Sequence, residues 1–304
     1  MIVEFIDQYQ ARFGVEPMCA QLSELGCKFA PSTYYETRGR KPSVRALRDE
    51  RIKELIVTAY DENYRCYGAR KMWLALRQAG HAVARCTVER LMRQLGLVGA
   101  RRGKTKRTTI ADPAAARAGD LVGRKFAPSA PNRLWVADFT YVSTLAGWVY
   151  VAFVIDAYAR RILGWKVAAS MTTDLVLTAI DQAIFTRKRE GVKSLAGLIH
   201  HNDAGSQYTS VRFTDRLVEE GIDASIGTMG DAHDNSLAES INGLYKTELI
   251  KPRRPWRNAA HVSAETAAYV DWFNNRRLYE YCGDIPPAKL EQIYYCNHPG
   301  NEVA

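Results

Sequence analysis

The chain has 304 residues, 47% hydrophobic and 25% charged, which suits one large and one small domain better than a single unit. Its net charge is +9, but residues 1–130 carry 24 Lys+Arg against 13 Asp+Glu while the rest carry 18 against 20, so the basic excess lies entirely in the first part, the footprint of a polyanion grip or, less specifically, of a solvated basic face. No window offers the ~18 consecutive apolar residues of a membrane span, and the six cysteines, scattered without a C-x-x-C pair, indicate neither a zinc ribbon nor a disulfide framework, so reduced thiols in a cytoplasm are the simplest reading.

In chain order, Ile2, Phe5, Ile6, Tyr9 and Phe13 recur at helical spacing, so a helix is expected over 1–13 with Pro17 ending it. Glu4 and Asp7 interrupt its apolar face and no basic segment precedes it, so it does not read as a signal peptide. A second helix is expected over Met18–Leu25 and a third from Pro31 and Ser32, with Gly39–Ser43 as a linker. The pair Tyr34 and Tyr35 fits local packing better than DNA contact.

Three further helices follow: Ala46–Tyr60, one within NYRCYGARKMWLALRQAG, and one within ARCTVERLMRQLGL. The break at Gly80 resembles the turn of a helix-turn-helix, which makes Arg85–Gln94 the recognition helix. Arg85, Thr87, Arg90 and Arg93 are its candidate DNA contacts, and Glu89, which phosphates repel, is expected to point away. A solvated face of an ordinary bundle reads the same on this helix alone. The run RRGKTKR tips the balance: Arg101, Arg102, Lys104, Lys106 and Arg107 form a basic arm attracted to a polyanion. The Ala-, Pro- and Gly-rich stretch that follows reads as a linker.

Leu134–Val142, Trp148–Ile155 and Arg161–Val167 read as a three-stranded meander. A helix over Thr173–Lys188, a short strand over Leu195–Ile199, a helix over Val211–Glu220 and a strand over Ile222–Ile226 complete an α/β order. Asp138 stands inside the first apolar strand, where an unpaired carboxylate costs several kcal/mol unless a cation offsets it. Asp203 lies just past the fourth strand, where NDAG equally suits a turn aspartate. Asp156 reads as structural, and His200 and His201, facing opposite sides of a strand, read as packing.

A helix opened by Asp234 or Asn235 places Asn235, Glu239, Asn242 and Lys246 on one face. Ala264–Arg277 is a last amphipathic helix, with Tyr269, Trp272 and Phe273 inward and Arg276 and Arg277 available for DNA. Three carboxylates from separate elements, Asp138, Asp203 and Glu239, describe an oxygen-ligand site for magnesium or manganese, and phosphoryl transfer is the reaction class that follows.

The stretches LWVADFTYV, VIDAYARRILGW, HNDAGSQYTS, DNSLAESINGLYKTELI and WFNNRRL, with 35 residues between Asp203 and Glu239, resemble the DDE transposases of bacterial insertion sequences, in particular the OrfB-type protein of the insertion-sequence-three family. The resemblance covers about residues 130 to 290. It implies an RNase-H-like (integrase-like) α/β catalytic core preceded by a small all-α helix-turn-helix DNA-binding region. It further implies that Asp138, Asp203 and Glu239 are catalytic and hold two Mg2+ or Mn2+ ions, and that Lys246 touches the DNA backbone near the reacting bond. The expected partners are element-end and target DNA, further copies of the chain on that DNA, and an OrfA product in trans or fused, in the bacterial cytoplasm at the nucleoid and away from membranes.

The expected segments are a helical one over 1–43, the helix-turn-helix with its arm over 44–107, a linker over 108–130, the core over 131–290 and a tail over 291–304. Two rival readings are a DNA-binding regulator with a dead core, weakened because all three acids are present, and a nuclease of RNA in hybrids, which needs no basic first part.

Overall fold

The computed structural model describes residues 2–101, 121–122, 126–203, 205, 207–226 and 235–298. It divides into two compact units, 1–55 and 56–304. In the first unit, α1 (Ile2–Phe13), α2 (Val15–Glu24) and α3 (Pro31–Gly39) close over Ile6, Val15, Met18, Cys19 and Tyr34. Tyr34 is fully buried and its hydroxyl donates to Asp7 Oδ1 at 2.6 Å, so this tyrosine packs, whereas Tyr35 is half exposed. Pro17 does not end the first helix. Gly14, at φ 76°, makes the break, and Pro17 sits in the first turn of α2, where a missing N–H costs nothing.

Helix α4 (Val44–Glu62) runs across the division between the units. In the second unit, α5 (Ala69–Gln78) and α6 (Arg85–Gln94) bury Met72, Leu76, Val88, Leu91 and Met92 between them. The turn joining them passes through Gly80 at φ 86°, and Trp73 Nε1 donates across it to the Val83 carbonyl at 3.0 Å. This is the expected helix-turn-helix.

The core is a five-stranded sheet of order β3-β2-β1-β4-β5, built from β1 (Leu134–Thr144), β2 (Gly147–Asp156), β3 (Arg161–Ala168), then α7 (Thr173–Arg189), β4 (Ile199–Asn202), α8 (Val211–Glu219) and β5 (Asp223–Ile226). The first three strands are antiparallel, while β4 runs parallel to β1 and β5 parallel to β4. One face packs Trp135, Ala137, Ala152 and Val154 against Leu175, Ala179, Ile180 and Ala183 of α7 and against Phe213 and Leu217 of α8. Gly164 lets β3 and α7 meet: a Cβ there would stand 2.0 Å from the Ala179 carbonyl oxygen.

The fourth strand is displaced from the expected Leu195–Ile199. Gly197 at φ 78° closes a turn in which the Leu198 amide donates to the Leu195 carbonyl at 3.1 Å. Leu195 and Leu198 are apolar because that turn is buried, and the pairing begins only at Ile199.

On the other side lie α9 (Ser236–Tyr245), a π-helical turn over Lys246–Ile250 and α10 (Ala259–Asn275), and α11 (Pro287–Asn297) packs on α10. Helix α10 starts earlier than its apolar pattern suggests because Asn258 caps it, accepting from the His261 amide at 3.0 Å. Tyr269, Trp272 and Phe273 are buried as expected. Arg277 is not available for DNA. It is buried, donates to both oxygens of Glu248 at 3.0 and 2.6 Å, and lies against the rings of Trp272, Phe273 and Tyr279. Arg276 is exposed and pairs with Asp271 at 3.1 Å.

Two buried charge networks fasten the outer helices. Asp156 at the end of β2 accepts from Arg187 of α7 at 2.8 Å, and Arg187 also pairs with Glu291 of α11 at 2.7 Å, which confirms Asp156 as structural. The second network is Glu248 with Arg277 and the Tyr269 hydroxyl, the latter donating at 2.9 Å. Replacing Glu248 by Ala strands a buried guanidinium, so urea unfolding is expected to show a loss of about 3–5 kcal/mol. A loss below about 1 kcal/mol would mean that the pair behaves as a surface bridge.

Candidate active site

Register brings the first two acids together. Ala137 of β1 lies beside Asn202 of β4 in parallel pairing, so the next residue on each chain, Asp138 and Asp203, leave neighbouring strands side by side. Pairing with β4 stops there. The Phe139 amide donates to Asp138 Oδ1 at 2.8 Å, and beyond Asn202 the chain turns, with the Gly205 amide donating to the Asp203 carbonyl at 2.8 Å.

The third acid arrives on α9, which is fastened to β1 at two points. Asn235 Nδ2 donates to the Ala137 carbonyl at 3.0 Å, and Asn242 Nδ2 donates to Asp138 Oδ2 at 2.8 Å. Glu239 lies between these two amides on the same helix face and is exposed. Asn235 occupies the N-cap position but makes no side-chain cap; its Nδ2 donates to β1 instead.

Withdrawal from water, then the Asp203 carboxylate, and more weakly that of Glu239, push the Asp138 carboxyl up to about 7, against the opposing hydrogen bonds from Phe139 and Asn242. Asp138 is half-buried, whereas Asp203 and Glu239 are exposed. Among the described residues no three His, Cys, Asp or Glu groups are drawn into a closed ligand cluster. The donor chemistry nevertheless fits a hard divalent cation: every acid offers carboxylate oxygens, and a cation there would offset the charge that makes Asp138 costly to ionise.

Lys246 opens the π-helical turn, and its ammonium stands 4.6 Å from the centre of the Tyr141 ring. Partial burial pulls its pKa down, and the charge of Asp138 opposes that shift. The expected face of Asn235, Glu239, Asn242 and Lys246 is therefore present. Tyr208 was not foreseen: its buried hydroxyl finds no hydrogen-bond partner among the described residues and is pushed up by burial and then by Asp138 and Asp203. His200 and His201 are both buried on opposite sides of β4, His200 among Tyr208 and Phe213, His201 with its Nδ1 2.9 Å from Ser225 Oγ. Burial, then His201, lowers the His200 pKa to about 4, so it is neutral packing.

On α6, Arg85 and Arg93 are exposed while Thr87 and Arg90 are half-buried. Glu89 does not point away from this face, since it accepts from Arg85 Nε at 2.9 Å. An exposed pair of this kind is worth little and yields readily to a phosphate. Arg101 is exposed, whereas Arg102, Lys104, Lys106 and Arg107 lie outside the described residues.

The chain is similar to known proteins in both its helix-turn-helix and its α/β parts. The integrase core domain family matches residues 128–232, a second integrase core domain family matches 220–287, and an HTH-like domain family matches 47–105. A protein of insertion sequence element IS986/IS6110 from Mycobacterium tuberculosis (strain ATCC 25618 / H37Rv) is 64% identical over 266 residues, which is 88% of this chain and 96% of the relative. The transposase for insertion sequence element IS629 from Shigella sonnei is 47% identical over 308 residues, covering 100% of both chains. Among solved structures, the HTLV-2 integrase catalytic core domain in complex with magnesium aligns at TM-score 0.39 and 18% identity over 54% of this chain and 98% of its own.

The raised Asp138 pKa makes a stability prediction. A carboxyl raised in the folded state binds a proton that the unfolded chain has already lost, so its contribution falls as pH rises from about 4 towards 7. With a chelator present, Asp138→Asn is expected to stabilise the protein at pH 8 by roughly 1–3 kcal/mol and to leave it unchanged at pH 4. Equal urea midpoints for the two proteins at pH 8 would contradict the electrostatic account.

Proposed function

The chain belongs to the insertion-sequence transposases that carry an integrase catalytic core, and we propose that it cuts and joins DNA strands at element ends with Asp138, Asp203 and Glu239 as the working carboxylates. The observation that carries this reading is the clamp on β1: Asn242 fixes one oxygen of Asp138 while the backbone fixes the other, with Asp203 beside it and Glu239 on the same side of α9 as Asn242. As an RNase-H-like transposase core with a helix-turn-helix before it, the chain has the parts that strand transfer needs.

The three acids would hold divalent magnesium, which we take to be two ions, with manganese as a substitute. Bound there, such ions supply Lewis acidity to the attacking and leaving oxygens of an in-line phosphoryl displacement, without a covalent protein intermediate. The protein's own part is positional. Asn242 and the Phe139 amide keep Asp138 in one rotamer, Asn235 sets the depth at which α9 meets β1, and Lys246 offers an ammonium to the phosphates of the strand being cut.

DNA is the partner, and we propose that Arg85, Thr87, Arg90 and Arg93 read or grip it while Arg101, Arg102, Lys104, Lys106 and Arg107 form a salt-sensitive arm. The division into 1–43, 44–107, 108–130, 131–290 and 291–304, assembly of several copies on DNA, cooperation with an OrfA product, and action in the cytoplasm at the nucleoid belong to the same proposal. No helix among the described residues is long and apolar enough to cross a membrane.

The deciding experiment uses labelled element-end DNA, magnesium and the purified chain. Asp138→Asn, Asp203→Asn and Glu239→Gln are each expected to lower cleavage and joining by at least ~1000-fold while DNA binding survives, and the triple variant should be barely worse than any single one. Near-normal strand transfer by Glu239→Gln would reduce Glu239 to a surface residue of α9 and sink the three-acid assignment.

A further inference from the structure

The β1–β2 hairpin carries an exposed aromatic pair that Lys246 ties to the acids, its ammonium lying over the Tyr141 ring and interacting with the Asp138 charge. Tyr141 follows Asp138 on β1 and is 49% exposed, and Trp148 on β2 is 57% exposed. Their rings meet edge to face at 5.3 Å, and the Lys246 ammonium lies over the Tyr141 ring. Phe139 and Tyr150 on the same two strands pack against the core under α7 and α8, but pairing of β2 with β3 begins only at Tyr150, so the tip projects past that cover. Isolated exposed apolar residues need no explanation, but a paired Trp and Tyr with a cation beside carboxylates is a more specific grouping.

The tip is also held in place. Thr144 Oγ1 donates to the Gly147 carbonyl at 2.7 Å and accepts from the Ala146 amide at 3.2 Å. The Leu145 amide donates to the Trp256 carbonyl at 2.8 Å, and the buried Trp256 indole donates in turn to the Ile250 carbonyl at 2.9 Å, at the end of the π-helical turn that Lys246 opens. Aromatic pair and ammonium are therefore parts of one fastened unit.

We propose that Trp148, braced by Tyr141, is a platform on which an unpaired base of the DNA strand beside the reacting phosphodiester stacks, with Lys246 held over Tyr141 for that strand's phosphate. The proposal rests on the transposase reading of the acid site. Charge complementarity selects a nucleic-acid strand: a phosphate brought near three carboxylates needs a cation, and Lys246, followed by the exposed Lys251, provides one on the aromatic side. An indole face completes the requirement, because any base stacks on it without regard to sequence. The occupant is thus a frayed strand end and not a closed duplex, whose bases already stack on one another.

The test places 2-aminopurine at successive positions of an element end with unpaired terminal bases and follows its fluorescence with the full-length protein. One position is expected to be quenched by the wild type and by Trp148→Phe but not by Trp148→Ala. Trp148→Ala should bind the frayed end roughly 10-fold more weakly, while its affinity for a blunt duplex and that of the neighbouring Leu145→Ala for both DNAs stay at the wild-type level. Quenching and frayed-end affinity that survive in Trp148→Ala overturn the platform. Magnesium-dependent cleavage by a wild type that quenches no position overturns the platform alone, whereas a wild type that neither cuts nor joins overturns the acid-site reading and the platform with it. A Trp148→Ala protein that sediments as a smaller species with its quenching intact assigns the face to a second copy, which also overturns the proposal.

Discussion

A carboxylate placed inside a β-strand beside two others is the constraint around which this core is built. Asp138 is raised to about 7 by its withdrawal from water and by its acidic neighbours, so left to itself the strand would favour the neutral acid. What opposes that tendency is a set of donors aimed at its two oxygens, the Phe139 amide and the Asn242 side chain. The same two donors restrict rotation of the carboxyl. Preorganisation and charge control are one device here: the groups that make ionisation tolerable also decide where the oxygens point.

That device works only if α9 is held at a fixed depth against β1, and Asn235 fastens its amino-terminal end there. At the other end, the helix passes into a π-helical turn containing Glu248, buried with Arg277 and Tyr269. A buried ion pair of this sort adds little net stability over an apolar replacement, but losing one partner is costly, and the geometry it enforces is specific. Lys246 keeps α-helical backbone angles, φ −62° and ψ −40°, and the π turn that it opens shifts the register of the residues after it, where Glu248 turns inward.

Much of this was legible beforehand because it depends on short-range pattern. Three strands with turns between them, the apolar period of α7 and the break at Gly80 are local signals, and they placed the acids on the elements that carry them. Asp138 stood out because an acid in LWVADFTYV has no inexpensive local explanation. What failed was long-range. Leu195 and Leu198 looked like a strand because burial and strand composition coincide, and only the positive φ of Gly197 separates them. Arg277 looked like a free cation because its partner Glu248 lies far back along the chain, and a guanidinium's preference for a buried carboxylate leaves no mark at either position alone. Tyr208 lies within HNDAGSQYTS and Trp148 within a strand pattern, but neither stretch marks the side chain, and their meaning comes from what the fold sets beside them.

The charge distribution along the chain follows from the same site. In the proposed reading, three carboxylates facing a phosphodiester would repel the substrate, and concentrating positive charge around them would pair with the acids and compete with the cations they would hold. The chain instead keeps its core near neutral, with 18 Lys+Arg against 20 Asp+Glu after residue 130, and places its excess in the first 130 residues. Many of the core's arginines are already committed, Arg161 and Arg187 to Glu291, Arg216 to Asp181 and Glu220, and Arg277 to Glu248. In the proposed reading, capture of DNA by a basic region remote in sequence, with the Lys246 ammonium near the acids, would let affinity and chemistry be set separately: salt would weaken the first through counterion release, while the half-buried second would be screened far less.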